Sequence, residues 1–192
     1  MKHSSKELIS LGIFTAVYAV VYLVCNMVGA INPVFQLVGA VVAALINGIT
    51  YMLFLARVRR FGLITLMALI LGVLVTLGGH HPISVVTALV AGLIADLIAR
   101  SGGYRKAGAT VLSYGLFGLW VVGAYLPLLF LRESVLIEYQ RQMGPEWTEA
   151  FARLFSPTVI VAMLVGTVLV GLLGGLIGRR ALAKHFERAG LA

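Results

Sequence analysis

The chain has 192 residues, of which 60% are hydrophobic and only 11% charged, and its mean hydropathy is +1.02. That composition excludes an ordinary soluble domain and describes a polytopic membrane protein. The formal net charge of +8 does not call for nucleic acid, because the basic residues gather at the ends of apolar runs, where they meet anionic lipid headgroups.

Crossing ~30 Å of hydrocarbon takes about 20 apolar residues of helix, and lipid-exposed backbone must satisfy its own hydrogen bonds. Six runs qualify, at 8–28, 34–56, 61–78, 82–99, 107–131 and 157–178. They predict an all-α bundle of six transmembrane helices forming a single domain over 1–192.

The first run follows Lys2 and Lys6 and ends near "VGA" (28–30), which resembles a secretory signal. Its apolar core exceeds the usual length of about 7 to 15 residues, so a retained helix is expected. Gly12 and Ala16, with Ala19 nearby, give it a small-residue face suited to close helix contact, either within the bundle or with a partner protein. Cys25, the one cysteine, allows no internal disulfide and reads as a packing residue. In the second run Asn47 lies deep enough to predict a helix-to-helix hydrogen bond.

The third and fourth runs are joined by "GGHHP" (78–82). Gly78 and Gly79 permit a tight turn, and Pro82 pushes His81 toward extended backbone, where successive side chains point to opposite sides. At most one histidine of the pair should therefore face the bundle interior. A neutral imidazole here could ligate a metal, haem iron included, or donate a hydrogen bond to an anion, but a solvated polar turn explains it equally well. No further ligand stands at metal-binding spacing, so neither a dedicated metal site nor a bound cofactor is expected. Asp96 is the one charged residue within the six runs, and its four-residue spacing to Arg100 predicts a local ion pair or interfacial contact rather than a transport role.

The segment 132–156 is too polar to span. After Gly144, the residues Trp147, Phe151, Leu154 and Phe155 fall on one stripe of a short amphipathic helix. Pro145 suits its first turn, and Glu146 and Glu149 suit its positive dipole end. The stripe should meet lipid or fold over the mouth of the bundle. In the sixth run Gly171 with Gly175 and Gly174 with Gly178 predict internal helix contacts.

Twelve basic residues, from Lys2 and Lys6 through Arg57, Arg59, Arg60, Arg100, Arg105, Lys106, Arg179, Arg180 and Lys184 to Arg188, fall on one set of alternate loops, against Arg132, Arg141 and Arg153 on the other. Cationic loops resist translocation, so both termini are expected in the cytoplasm and "GGHHP" outside. The outer ends then collect Asn26, Asn32, Gln36, Trp120, Tyr125, Glu138 and Tyr139, the kind of polar and aromatic cluster that lines a small-molecule pocket. There is no G-x-x-x-x-G-K-[ST] loop, no H-E-x-x-H, no G-x-S-x-G and no soluble segment able to hold a nucleotide-binding domain, so neither an enzyme nor an autonomous ATP-driven pump is expected.

In order, "LGIFTAVYAVVYLV" (11–24), "YMLFLARVRRFG" (51–62), "GHHP" (79–82), "GLIADLIARSGGYRK" (92–106), "YLPLL" (125–129) and "GRRALAKHFERAGL" (178–191) resemble the Trep_Strep family of small membrane proteins, regarded as substrate-binding (S) components of energy-coupling factor (ECF) transporters. The resemblance implies a protein of the prokaryotic cell membrane that takes a vitamin or other micronutrient, haem included, from outside. It would hand its cargo to a transmembrane coupling (T) component driven by two cytosolic ATPases. The small face of Gly12, Ala16 and Ala19 matches the docking face of such proteins. His80, His81, Gln36, Asn32, Trp120, Tyr125 and Trp147 occupy the kinds of position that line their pockets. A freestanding facilitator or small channel, and a ligand-free membrane scaffold, are the competing readings.

Overall fold

A computed structural model of the protein describes residues 5–186; Lys2 and Arg188, counted among the cations above, lie outside the described residues. Among these, α1 (Ser5–Met27), α2 (Pro33–Arg57), α3 (Leu63–Leu77), α4 (Ile83–Ser101), α5 (Ala107–Phe117) and α9 (Pro157–Ala181) form the bundle. The short α6 (Pro127–Phe130) leads into α7 (Arg132–Met143) and α8 (Pro145–Leu154).

The helix ends follow from local chemistry. Asn32 caps α2 by accepting from the Val34 amide at 2.9 Å, and Pro33 takes the first helical position. Ser156 and Pro157 repeat the device at α9. Both patterns satisfy or dispense with amides that a helix start leaves free. At the far ends of α3 and α4 the amides of His80 and Tyr104 reach back to Val75 and Ala99, each across a left-handed glycine, Gly79 and Gly103. These are paired-bond glycine caps in which a side chain would be strained.

Among the described residues five helical segments are long and apolar enough to cross a membrane, and α3 is a shorter apolar helix. The third run is thus corrected from eighteen residues to fifteen, about 22 Å of helix. Its start is held back by Gly62, at φ +96°. The fifth run is not one helix: after Phe117 it tightens into a 3-10 segment, Gly118–Ala124, before α6. There a Cβ on Gly123 would fall on Thr87 and Ser84 of α4, so the backbone follows a close tertiary approach.

The bundle closes through its glycines. A Cβ on Gly48 would fall on the Gly174 carbonyl, one on Gly178 on the Gly48 carbonyl, and one on Gly171 on Gly115. Backbones of α2, α5 and α9 are therefore in direct contact, and the glycine pairs of the sixth run pack internally as expected. Asn47 does bridge helices, donating to the Tyr18 carbonyl at 3.1 Å. On α1, Gly12 and Ala16 face outward, whereas Ala19 is buried, which removes it from the outward small-residue face.

At the basic end, Arg60 pairs with Glu7 at 2.7 Å. Asp96 does not take Arg100 as its partner. Its carboxylate accepts from the Gly62 amide at 2.7 Å, the Tyr104 hydroxyl at 3.0 Å, and the amide and hydroxyl of Thr65 at 3.3 and 3.2 Å. The Arg100 guanidinium sits instead over the Phe61 ring. Between this end and mid-membrane the interior is solid: Tyr51, Met52, Phe54, Leu55, Met67 and Ala68 are buried. Tyr51 donates to Ser113 at 2.7 Å, which donates in turn to the Ala95 carbonyl.

Candidate functional site

At the histidine end one part of the bundle mouth is capped and the part beside the histidines is open. The segment 132–156 forms two helices where one was expected, because α7 presents no fully buried residue and so lacks an unbroken apolar stripe. The stripe on α8 turns inward over the bundle mouth: Phe151 and Phe155 are buried, and Trp147, Phe151, Phe155 and Tyr125 stack successively at 5.0, 4.3 and 5.3 Å. Two contacts fasten this cap. The Trp147 indole donates to the Gly29 carbonyl at 3.0 Å, and the Arg132 guanidinium donates to the Phe155 and Ala152 carbonyls at the C-terminus of α8, where a cation also meets the negative helix end.

Beside the cap, the 79–82 turn, the end of the 3-10 segment and α7 line a half-open cavity of about 410 Å³. That lies within the ~300–1,000 Å³ usual for small-molecule sites. His80, His81, Ser134, Glu138 and Tyr139 supply its polar groups, with Pro127, Leu131 and Val135 as apolar wall. The chain geometry separates the histidines as their turn requires: His80 is half-buried and His81 exposed. The Ile83 amide donates to His81 Nδ1 at 3.2 Å, so a neutral His81 carries its proton on Nε2 and is a donor. His80 Nδ1 is buried without a partner. Burial also holds the His80 imidazole below its ordinary pKa, partly offset by its backbone hydrogen bond to Val75, and pushes the Tyr139 phenol up. A neutral polar ligand could meet a donor at His81, an acceptor at Glu138 and a hydroxyl at Ser134, with one flank against apolar wall. Among the described residues no three His, Cys, Asp or Glu side chains converge as metal ligands.

The remaining sequence candidates divide. Gln36 donates to the Tyr125 hydroxyl at 3.1 Å, beneath the cap rather than on the cavity wall. Trp147 is a fastening of the cap. Asn32 is exposed and serves as the α2 cap. Trp120 lines a second cavity on the membrane side of the bundle. Sequence reasoning missed Leu131, Ser134 and Val135; with Glu138 they recur at i, i+3, i+4 and i+7, the helical face that would have marked them.

An all-helical bundle with, among the described residues, five segments long and apolar enough to cross a membrane and a cavity at one end defines a multi-pass integral membrane protein. The chain belongs to the Trep_Strep family, whose model, described as a hypothetical bacterial integral membrane protein, matches residues 5–188. No curated protein and no solved structure matches the chain.

Proposed function

We propose that the protein is the substrate-binding S component of an ECF-type importer. In this reading it captures a vitamin-like small molecule in the histidine cavity, outside the cell, and a T component with two cytosolic ATPases drives release. The observation that carries the reading is the pairing of an open-mouthed cavity at the histidine end with a solid, apolar basic half, which makes a receptacle without a passage. A freestanding channel requires a polar path from face to face, and the side chains from Tyr51 to Ala68 fill that route. The alternating distribution of cations supports a cytoplasmic basic end. Gly12 and Ala16, outward-facing and with nothing within 4 Å of a Cβ at Gly12, offer a flat strip on which another membrane helix can pack closely.

Purification from native membranes in mild detergent, with mass spectrometric identification of what accompanies the protein, is the test. A T component and two ATPases in stable ratio are expected. A protein recovered alone that conducts solute in liposomes would replace this reading with the facilitator.

A further inference from the structure

A second cavity, of about 170 Å³, lies between α1, α2, the 3-10 segment and α9, in the half of the membrane nearer the histidine end. Its origin is the glycine crossing. Gly48 and Gly174 bring the α2 and α9 backbones together, and about two to three turns further along, Leu37, Val41, Met163 and Gly166 line the gap. Val41 is exposed, and a Cβ on Gly166 would meet nothing within 4 Å. The mouth therefore opens sideways, toward hydrocarbon rather than water.

The inner wall is aromatic. Tyr18, Tyr22, Tyr114 and Trp120 line it, with Tyr22 and Trp120 edge to face at 5.0 Å. Two of its polar atoms are already engaged: the Tyr114 hydroxyl donates to the Ala44 carbonyl at 2.6 Å, and the Trp120 indole donates to the Tyr18 hydroxyl at 3.4 Å. Asn47, 1% exposed, is different. Its Nδ2 is spent on the Tyr18 carbonyl, and its Oδ1 is buried with no partner. An unsatisfied buried acceptor is destabilising, and a purely apolar occupant such as an acyl chain would leave it so.

We propose that this crevice is a binding site for a neutral planar aromatic molecule bearing one N–H or O–H donor, which enters from the membrane and donates to Asn47 Oδ1. Size agrees, since an apolar cavity of about 150 Å³ accepts a benzene ring and this one is slightly larger. The ring would add an edge-to-face partner to Tyr22 and Trp120. The site is separate from the histidine cavity and does not depend on the transport reading.

Indole is the probe, measured with the full-length purified protein in detergent by competition against 5-fluoroindole in fluorine NMR, with empty micelles as baseline. Saturable binding is expected. N-methylindole should bind roughly 10-fold more weakly, whereas 3-methylindole, with the same added carbon and its donor intact, should not, because only the former strands Asn47. Gly166→Leu, placed where the structure leaves room, should abolish binding without lowering thermal stability. His80→Ala should leave indole affinity unchanged. Equal affinity for indole and N-methylindole, or undiminished binding in Gly166→Leu, would overturn the proposal in favour of simple partition into the micelle. Loss of binding in His80→Ala would move indole to the histidine cavity and overturn it as well.

Discussion

Replacing Asp96 with Ala tests whether this carboxylate is structural. The substitution removes the acceptor for the Gly62 amide at 2.7 Å and the Tyr104 hydroxyl at 3.0 Å, and for the two longer bonds from Thr65. Orphaning a buried donor costs about 1–3 kcal/mol. Gly62 is half-buried, so water recovers part of its loss, and bonds in one network do not add fully. A net cost of about 2–4 kcal/mol results. Tyr104 also sits at φ +58°, a conformation disfavoured by roughly 1–2 kcal/mol for a residue with a side chain; without Asp96 that strain has less to hold it. At about 2–4 °C per kcal/mol for a chain of this size, the melting midpoint should fall by roughly 4–16 °C. Thermal unfolding in detergent, followed by the fluorescence of Trp120 and Trp147, reads this directly. Arg100→Gln supplies the contrast: it loses only a contact over Phe61, worth about 1 kcal/mol or less, whereas an Asp96–Arg100 ion pair would make the two variants comparable. An Asp96→Ala protein that melts within about 2 °C of the parent but no longer transports would refute the structural assignment and make Asp96 part of the transport machinery.

Gly174→Val should separate α2 from α9 and abolish monodisperse folded protein on size exclusion, while Gly166→Val, eight residues away on the same helix, should not. His80 carries a depressed pKa in the folded protein, so on acidification the unfolded chain takes up its proton first, at about 6.5. Stability should decline as pH falls below that value, and His80→Asn should flatten the decline; Glu138, Tyr139 and His81 share the cavity with it. Arg132→Ala releases the C-terminus of α8 and should speed limited proteolysis within 132–156, leaving the bundle intact. Gly12→Phe or Ala16→Phe should eliminate copurification with a T component and leave ligand binding unchanged; normal copurification would exclude this face as the dock.

Apolar run length alone located every bundle helix, because each run must hold its own backbone bonds against lipid. It overestimated α3 and smoothed over the break after Phe117. The break arises where Gly123 lies against Ser84 and Thr87, a contact between distant segments that leaves no trace in local periodicity. Of the two readings of Asp96, spacing favoured the wrong partner in the ion pair for a related reason: Arg100 lies within reach on the same helix, but Tyr104 is delivered by the chain reversal after α4, which brings its hydroxyl to the carboxylate. The apolar stripe of α8 was readable from Trp147, Phe151 and Phe155, but not whether it met lipid or turned inward. The face of α7 was missed although Leu131, Ser134, Val135 and Glu138 keep helical spacing, because they mix apolar with polar residues, as a ligand-facing wall does and a core-facing one does not.

Where α2 and α9 touch through Gly48, Gly174 and Gly178 there are no side chains to change rotamer and no clearance for one helix to slip past the other. Separation of the pair must pivot at that point, as tongs turn on a rivet, and displacement grows with distance from it. The long arms reach toward the histidines, and the short ones end among the arginines. A molecule wedged between the long arms and a push on the short ones would then act on the same single motion.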